Sequence, residues 1–195
     1  MTAPDTAAVR AAVEAIRRGD GEAFSEIVEC YERRLFALSL MMTRSPSGAD
    51  EVTQDAFLRA YTHLDQYDGT RSFYPWLATI AVRLAQTWLR RRLQRESREG
   101  AALDADTSQV SAVDPLTALI ENERDRRLWQ AVAALPSGER TAVYLYYRQE
   151  MSVSDAAHAL GVTTGTVKTL LFRARRRLRP ALAASGYPRH QEERS

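Results

Sequence analysis

The sequence predicts an all-α protein made of two small helical domains joined by a flexible linker. Three observations carry this. Apolar residues recur at helical spacing along most of the 195-residue chain, and 45% hydrophobic content is enough to bury real cores. The periodicity lapses over GAALDADTSQVSAVDP (residues 100–115), a small, acidic, low-complexity stretch that cannot build a core. Beyond it, Ser152 to Arg179 reads as a helix, a tight turn and a second helix rich in arginine.

Ala7 to Arg18 forms a short amphipathic helix stopped by Gly19. Asp20 is the cap expected for the next helix, which runs to about Thr43 with Phe24, Ile27, Val28, Tyr31, Leu35, Leu38 and Met42 at helical spacing. Ser45-Pro46-Ser47-Gly48 breaks it, and Ser47, with Asp50 in the first turn, is expected to start a third helix to about Leu64. Asp65 to Thr70 is polar and reads as a loop. Phe73 to Arg95 then forms one long helix, with Pro75 in the first turn, where proline is tolerated. Helix resumes from Leu116 to Leu135; Pro136-Ser137 ends and recaps it, and Glu139 to Gln149 leads into the final helical pair. The expected division is a first domain over residues 1–96, a linker over 97–115, a second domain over 116–182 and a frayed tail over 183–195.

The last pair has the layout of a reader of duplex DNA. At about 100° per residue, Val167, Leu171, Ala174 and Leu178 share a narrow apolar stripe with Leu170 at its edge. Lys168, Thr169, Phe172, Arg175, Arg176 and Arg179 take the opposite side, and no acid interrupts Lys168 to Arg179. Ala156, Ala157 and Leu160 of the preceding helix offer close packing, Gly161 permits the sharp turn, and Thr163 or Thr164 caps the second helix.

Net charge is only +2, so the basic blocks are segregated: Arg83, Arg90, Arg91, Arg92 and Arg95 form one, and the last helix another. In the third helix, Asp50, Glu51, Gln54 and Asp55 form a compact patch opposite the apolar Val52, Ala56, Phe57, Ala60 and Leu64. From spacing alone two explanations stand side by side: favourable carboxylates at a helix N-terminus, or a docking surface for a basic partner helix. In the long helix Trp76, Leu77, Ile80, Ala81, Leu84 and Trp88 share one side, and Thr79, Arg83, Gln86 and Arg90 line the other. Tyr67, Phe73 and Tyr74, beside these arginines, are candidates for stacking unpaired bases, whereas Trp76 reads as core.

A single cysteine, Cys30, excludes an internal disulfide and any multi-cysteine metal site, and its apolar neighbours Ile27, Val28 and Tyr31 make it a buried structural thiol. MTAPDTAAVR lacks an apolar run of signal length and nothing later approaches a membrane span, so a cytoplasmic protein without membrane insertion is expected. His63, His158 and His190 are scattered, with no nucleophile elbow and no phosphate-cradling glycine loop, so neither an enzyme nor a cofactor is expected.

The series GDGEAF (Gly19 to Phe24), DEVTQDAFLRAY (Asp50 to Tyr61), RSFYPWLATIA (Arg71 to Ala81), an arginine-rich helix end, a linker and LPSGERTAVYLYYRQEMSVSDAAHALGVTTGTVKTLLFRARRRL (Leu135 to Leu178) resembles a bacterial sigma factor of the extracytoplasmic-function group. The resemblance covers nearly everything but the linker and termini. It implies a region 2 helical bundle and a region 4 helix-turn-helix that bind core RNA polymerase and promoter DNA. Asp50, Glu51, Gln54 and Asp55 would dock on the β′ coiled coil, which favours docking over the local explanation. Tyr67, Phe73, Tyr74, Thr79, Arg83, Gln86 and Arg90 would engage the minus-10 element, with one base flipped out. Thr164, Thr166, Lys168, Thr169, Phe172, Arg173 and Arg176 would meet the minus-35 element, and helix residues before them the β flap. An anti-sigma factor is the further partner implied.

The chain departs from the family pattern at one point. Where members usually read I-A-R-N with an aspartate four residues on, this chain has Ile80-Ala81-Val82-Arg83 and Thr87, so those polar contacts do not carry over. The added arginine is expected to strengthen phosphate contact and loosen base choice. The alternative is a stand-alone helix-turn-helix regulator, which the acidic patch and the absence of a ligand constellation disfavour. A linker of about 20 flexible residues has a root-mean-square reach of roughly 25 Å and extends to about 70 Å, so two weak sites can act as one.

Overall fold

The computed structural model describes residues 6–99 and 123–184, and these residues are folded as helices joined by short turns. Four belong to the first part of the chain: α1 (Thr6–Arg17), α2 (Phe24–Thr43), α3 (Pro46–Thr62) and α4 (Phe73–Glu99). The second part adds α5 (Glu123–Ala133), α6 (Ser137–Val143), α7 (Val153–Leu160) and α8 (Thr164–Ala184). Short 3₁₀ turns at Gly21–Ala23 and Leu64–Gln66, and a π turn at Tyr144–Arg148, join them.

Helices α2, α3 and α4 pack mutually around Ile27, Leu35, Leu38, Ala56, Ala60, Leu77 and Ala81, each at most 1% exposed, and α1 lies on α2. Small residues let α3 approach α4: a Cβ on Gly48 would sit 2.5 Å from the Trp88 ring. Buried hydroxyls find partners close by. Ser39 donates to the Leu35 carbonyl at 2.9 Å and receives from Thr53 at 3.2 Å, which ties α2 to α3 without an unpaired polar atom at either group. In the second part α5, α6 and α7 gather around α8, whose stripe Val167, Leu171, Ala174 and Leu178 is buried as its spacing predicts. Glu139, 5% exposed, lies 3.2 Å from the Arg177 Nε, within ion-pair distance but outside hydrogen-bond alignment.

Several boundaries differ from expectation for local reasons. Asp20 makes no cap bond, and a 3₁₀ turn intervenes before α2. Ser45, not Ser47, caps α3: its hydroxyl accepts from the Gly48 N–H at 3.2 Å and Pro46 takes the first helical position, where its missing N–H has no consequence. The helix ends at Thr62, two residues early, because the chain tightens into a 3₁₀ turn. The long helix runs on to Glu99, its end braced by an Arg92–Glu96 pair at 2.7 Å. The helix expected from Leu116 is described only from Glu123, and the expected linker core and the tail from residue 185 lie outside the described residues. Pro180 is carried inside α8, which continues to Ala184. Cys30 is half-buried and not enclosed.

Candidate nucleic-acid and protein interfaces

The basic face of α8 is presented by a tightly specified turn. Ser152 caps α7, accepting from the Asp155 N–H at 3.0 Å and donating to its carboxylate at 2.6 Å. Gly161 then takes the left-handed conformation, φ 68°, which satisfies the end of α7 without a Cβ penalty. Of the two candidate caps, Thr163 acts: its hydroxyl receives the Thr166 N–H at 3.1 Å. Thr164, Thr166, Lys168, Thr169, Phe172, Arg173 and Arg176 are all exposed in consequence. Phe172 is 62% exposed and lies among the basic residues of this face. Thr169, exposed, turns its hydroxyl back to the Gly165 carbonyl at 2.9 Å. Arg175 donates to the Tyr147 hydroxyl at 2.7 Å, a restraint that helical spacing did not indicate.

The acidic face of α3 stands clear of the core, with Asp50, Glu51, Gln54 and Asp55 exposed. Glu51 is anchored across the helix pair by the Trp88 indole N–H at 2.9 Å. Leu58 (62% exposed) and Tyr61 (44%) fall on the same arc, within the roughly 140° from Asp50 to Asp55 at about 100° per residue. The face is therefore mixed, acidic at its start and apolar towards its end. A helical wheel extended two turns further would have found both residues.

The third face differs most from expectation. Tyr67 (4% exposed), Phe73 (2%) and Tyr74 (4%) are buried and not available for stacking, and Thr79 is buried as well, donating to the Pro75 carbonyl at 2.8 Å. The reason is a ring cluster drawn from distant parts of the chain: Phe73 stacks on Tyr31 at 5.9 Å, and Tyr67 and Phe73 meet Trp76 at 5.4 and 5.3 Å. Trp76, read as core, is the member left partly exposed. The Tyr67 hydroxyl donates to the Arg71 carbonyl and Arg17 donates to the Tyr67 carbonyl at 2.7 Å, which fixes the loop. Asp68 accepts from the Thr70 N–H at 3.0 Å and its hydroxyl at 2.7 Å, and these bonds hold its carboxyl below the usual value. Arg83 and Arg90 are exposed and Gln86 partly so. Arg83 and Thr87 border a shallow depression between α3 and α4 with Glu51, Asp55, Arg59 and Arg91.

The two parts of the chain meet at Gln149, which is 3% exposed. Its side-chain oxygen receives the Arg34 Nε at 2.7 Å and the Tyr74 hydroxyl at 2.6 Å, while Arg34 also donates to its backbone carbonyl. The Arg34 guanidinium lies 3.7 Å over the Tyr74 ring. Burial pushes the Tyr74 hydroxyl far above its ordinary value and that of Tyr31 up to about 12. Nearby, Arg44 donates to the Ala133 carbonyl at 2.7 Å, and α7 packs against α4.

Among the described residues no group of three or more His, Cys, Asp and Glu could hold a metal ion, and no helix is long and apolar enough to cross a membrane.

Comparison with known proteins places the chain in a family. The Sigma-70 region 2 family matches residues 27–95 and the Sigma-70 region 4 family residues 125–178. The chain is 30% identical to the ECF RNA polymerase sigma factor SigW of Bacillus subtilis over 89% of its length and 96% of that protein. It is 32% identical to the ECF RNA polymerase sigma-E factor of Haemophilus influenzae, over 85% of this chain and 90% of that one. Its fold resembles the sigma factor RpoE solved with the anti-sigma factor NepR from Bartonella quintana: TM-score 0.64, 22% identity, 82% of this chain and 96% of that one. CnrH, solved with the cytosolic domain of CnrY, is likewise similar in fold, with a TM-score of 0.59 at 22% identity over 91% of this chain and 98% of that one. The chain belongs to the extracytoplasmic-function RNA polymerase sigma factors.

Proposed function

We propose that the three faces divide promoter recognition and polymerase docking among them. The observation that carries this is the pairing, on one chain, of an exposed acidic helix face with a capped, acid-free basic helix behind a sharp turn. The acidic face of α3 meets the basic β′ coiled coil of core polymerase, with Leu58 and Tyr61 as its apolar part. The exposed side of α8 enters the major groove at the minus-35 element, where Lys168, Arg173 and Arg176 supply hydrogen bonds and Phe172 and the Thr169 methyl fit thymine methyl groups. Helix residues ahead of α7 lie against the β flap.

At the minus-10 element, Arg83, Gln86 and Arg90 hold the backbone of the separated strand, with the partly exposed Trp76 beside them. Tyr67, Phe73, Tyr74 and Thr79 shape that face from beneath, and reach bases only after rearrangement. Arg83 adds a phosphate contact in place of a base-reading amide, so minus-10 preference is looser than minus-35 preference. The chain does no bond chemistry itself and works in the cytoplasm, where core polymerase is. Its partners are core polymerase, promoter DNA and an anti-sigma factor, the last supported by the complexes in which its fold neighbours were solved.

The purified chain, added to core polymerase, is expected to direct transcription from a promoter carrying both elements. Reversing charge at Asp50 and Asp55 (Asp50→Arg with Asp55→Arg), while keeping the Glu51 bond to Trp88, is expected to abolish co-purification with core enzyme at unchanged helicity. Retained co-purification would remove the docking claim, and a wild-type chain that binds DNA but never programs polymerase would favour the stand-alone regulator.

A further inference from the structure

The region 2 and region 4 parts are hydrogen-bonded to each other, and the geometry of that contact conflicts with simultaneous promoter binding. Two touching domains of this size have centres roughly 30 Å apart. Elements named minus-10 and minus-35 lie about 25 base pairs apart, roughly 85 Å along straight duplex. The closed arrangement therefore reads at most one of them. It also ties down Tyr74, which lies on the minus-10 side of region 2, through its hydroxyl bond to Gln149.

We propose that Gln149 is an intramolecular latch, seated between Arg34 and Tyr74, that holds the free factor closed and must be released before polymerase and promoter can be engaged. This rests on the function proposed above. Three features suit Gln149 to the task. It lies in the link between the π turn and α7 and outside the basic α8 face, so it is free of a DNA-reading role. Its amide oxygen takes two donors at once, from α2 and α4, so a single side chain spans the junction. It is neutral, so release leaves no uncompensated buried charge, and the Arg34 guanidinium regains water.

The surrounding surface is of a kind that can part. α7 packs against α4, and buried alanines are frequent in both helices: Ala78, Ala81 and Ala85 in α4, and Ala156, Ala157 and Ala159 in α7. Small residues allow close helix approach but little apolar area per residue, so the polar node sets a large share of the closed state's preference over the open one. A factor whose competent open state is a minor population binds its target with apparent affinity reduced by that fraction. Weakening the latch should raise affinity for polymerase.

The test uses the full chain. Gln149→Ala and Arg34→Met are compared with wild type and with Arg33→Met, an exposed neighbour outside the node. The radius of gyration is measured by small-angle scattering, helicity by circular dichroism, and core polymerase affinity by titration. At unchanged helicity, both latch variants are expected to expand by roughly 3 Å or more and to bind core polymerase at least about threefold more tightly, with Arg33→Met like wild type. Arg34→Met, which keeps an apolar stem over Tyr74, decides the matter if Gln149→Ala loses helicity. Folded variants that stay as compact as wild type overturn the latch, as does expansion without a gain in affinity. If wild type does not bind core polymerase at all, the proposed function falls, and the scattering result alone supports or overturns the latch.

Discussion

Arg176 lies about half a turn from the Val167 and Leu171 stripe, so burying that stripe leaves its guanidinium pointing away from the domain. An arginine held outward on a capped helix is suited to a bidentate contact with a guanine edge, worth roughly 1 to 3 kcal/mol. Arg176→Ala is therefore expected to weaken binding to a minus-35 duplex about tenfold or more, with thermal stability unchanged because no partner within the domain is lost. Competition between matched and mismatched duplexes checks it: an equal loss on both would mark Arg176 as a phosphate contact. The exposure of this residue was legible in the sequence, because the apolar period fixes which side of a helix remains outside. The position of Tyr67, Phe73 and Tyr74 was not. Their burial depends on Tyr31, about forty residues earlier in the chain, and local spacing carries no information about which distant ring closes a cluster. Trp76, assigned to core because it shares a side with Leu77 and Ile80, is left at the cluster's edge for the same reason.

At the scale of elements, the α3–α4 pair shows how one missing side chain sets an interface. The Trp88 ring occupies the space where a Gly48 Cβ would stand, and from there it donates to Glu51. Gly48→Ala is expected to force the ring outward, costing about 1 to 3 kcal/mol by overpacking, lowering the thermal midpoint and weakening polymerase docking through the displaced Glu51. Thermal melts together with co-purification test this; an unchanged melting curve would mean that α3 shifts freely. The sequence marked Ser45 to Gly48 as a break and placed a helix behind it; the helix is present, and the break is confined to Arg44 and Ser45. It misplaced the cap by two residues because Ser47 followed by Asp50 imitates a favourable first turn. Pro46 at the first helical position was the better signal, since proline there fits only a cap at Ser45. The π turn at Tyr144–Arg148, with bonds such as the Gln149 N–H to the Tyr144 carbonyl at 3.0 Å, had no signature in the sequence.

For the whole molecule, the junction of the two parts is where burial meets titration. The hydroxyls of Tyr31 and Tyr74 are raised above their ordinary value of 10.0 chiefly by desolvation. A raised folded value means that the folded state keeps its proton after the unfolded state has lost it. Stability is then fully present below about pH 10 and falls as pH rises from there towards about 12 for Tyr31 and beyond for Tyr74. Chemical denaturation measured from pH 8 upward is expected to show a flat unfolding free energy up to about pH 10 and a decline above it. Tyr74→Phe should reduce the steepness of that decline; an equal slope in both proteins would place the titration elsewhere. That two helical parts exist was readable from the lapse in periodicity, and so was the exposed side of α3 and of α8, but not that of α4. That they close on one another was not, because Arg34 and Gln149 stand 115 positions apart and neither carries a pattern pointing to the other.

The π turn also makes chain length a control on how the two parts associate. It accommodates its residues in a wider coil than an α-helix would, and Gln149 emerges immediately after it. Deleting one residue from Tyr144–Arg148 would let the coil tighten to the α form and rotate the downstream chain by about 100°. Gln149 would swing away from Arg34 and Tyr74 although every side chain at the junction was retained, while the caps at Ser152 and Thr163 depend only on their own neighbours. A single codon lost or gained at this place thus retunes the resting state of a relative without altering one residue of the basic α8 face or of the acidic α3 face.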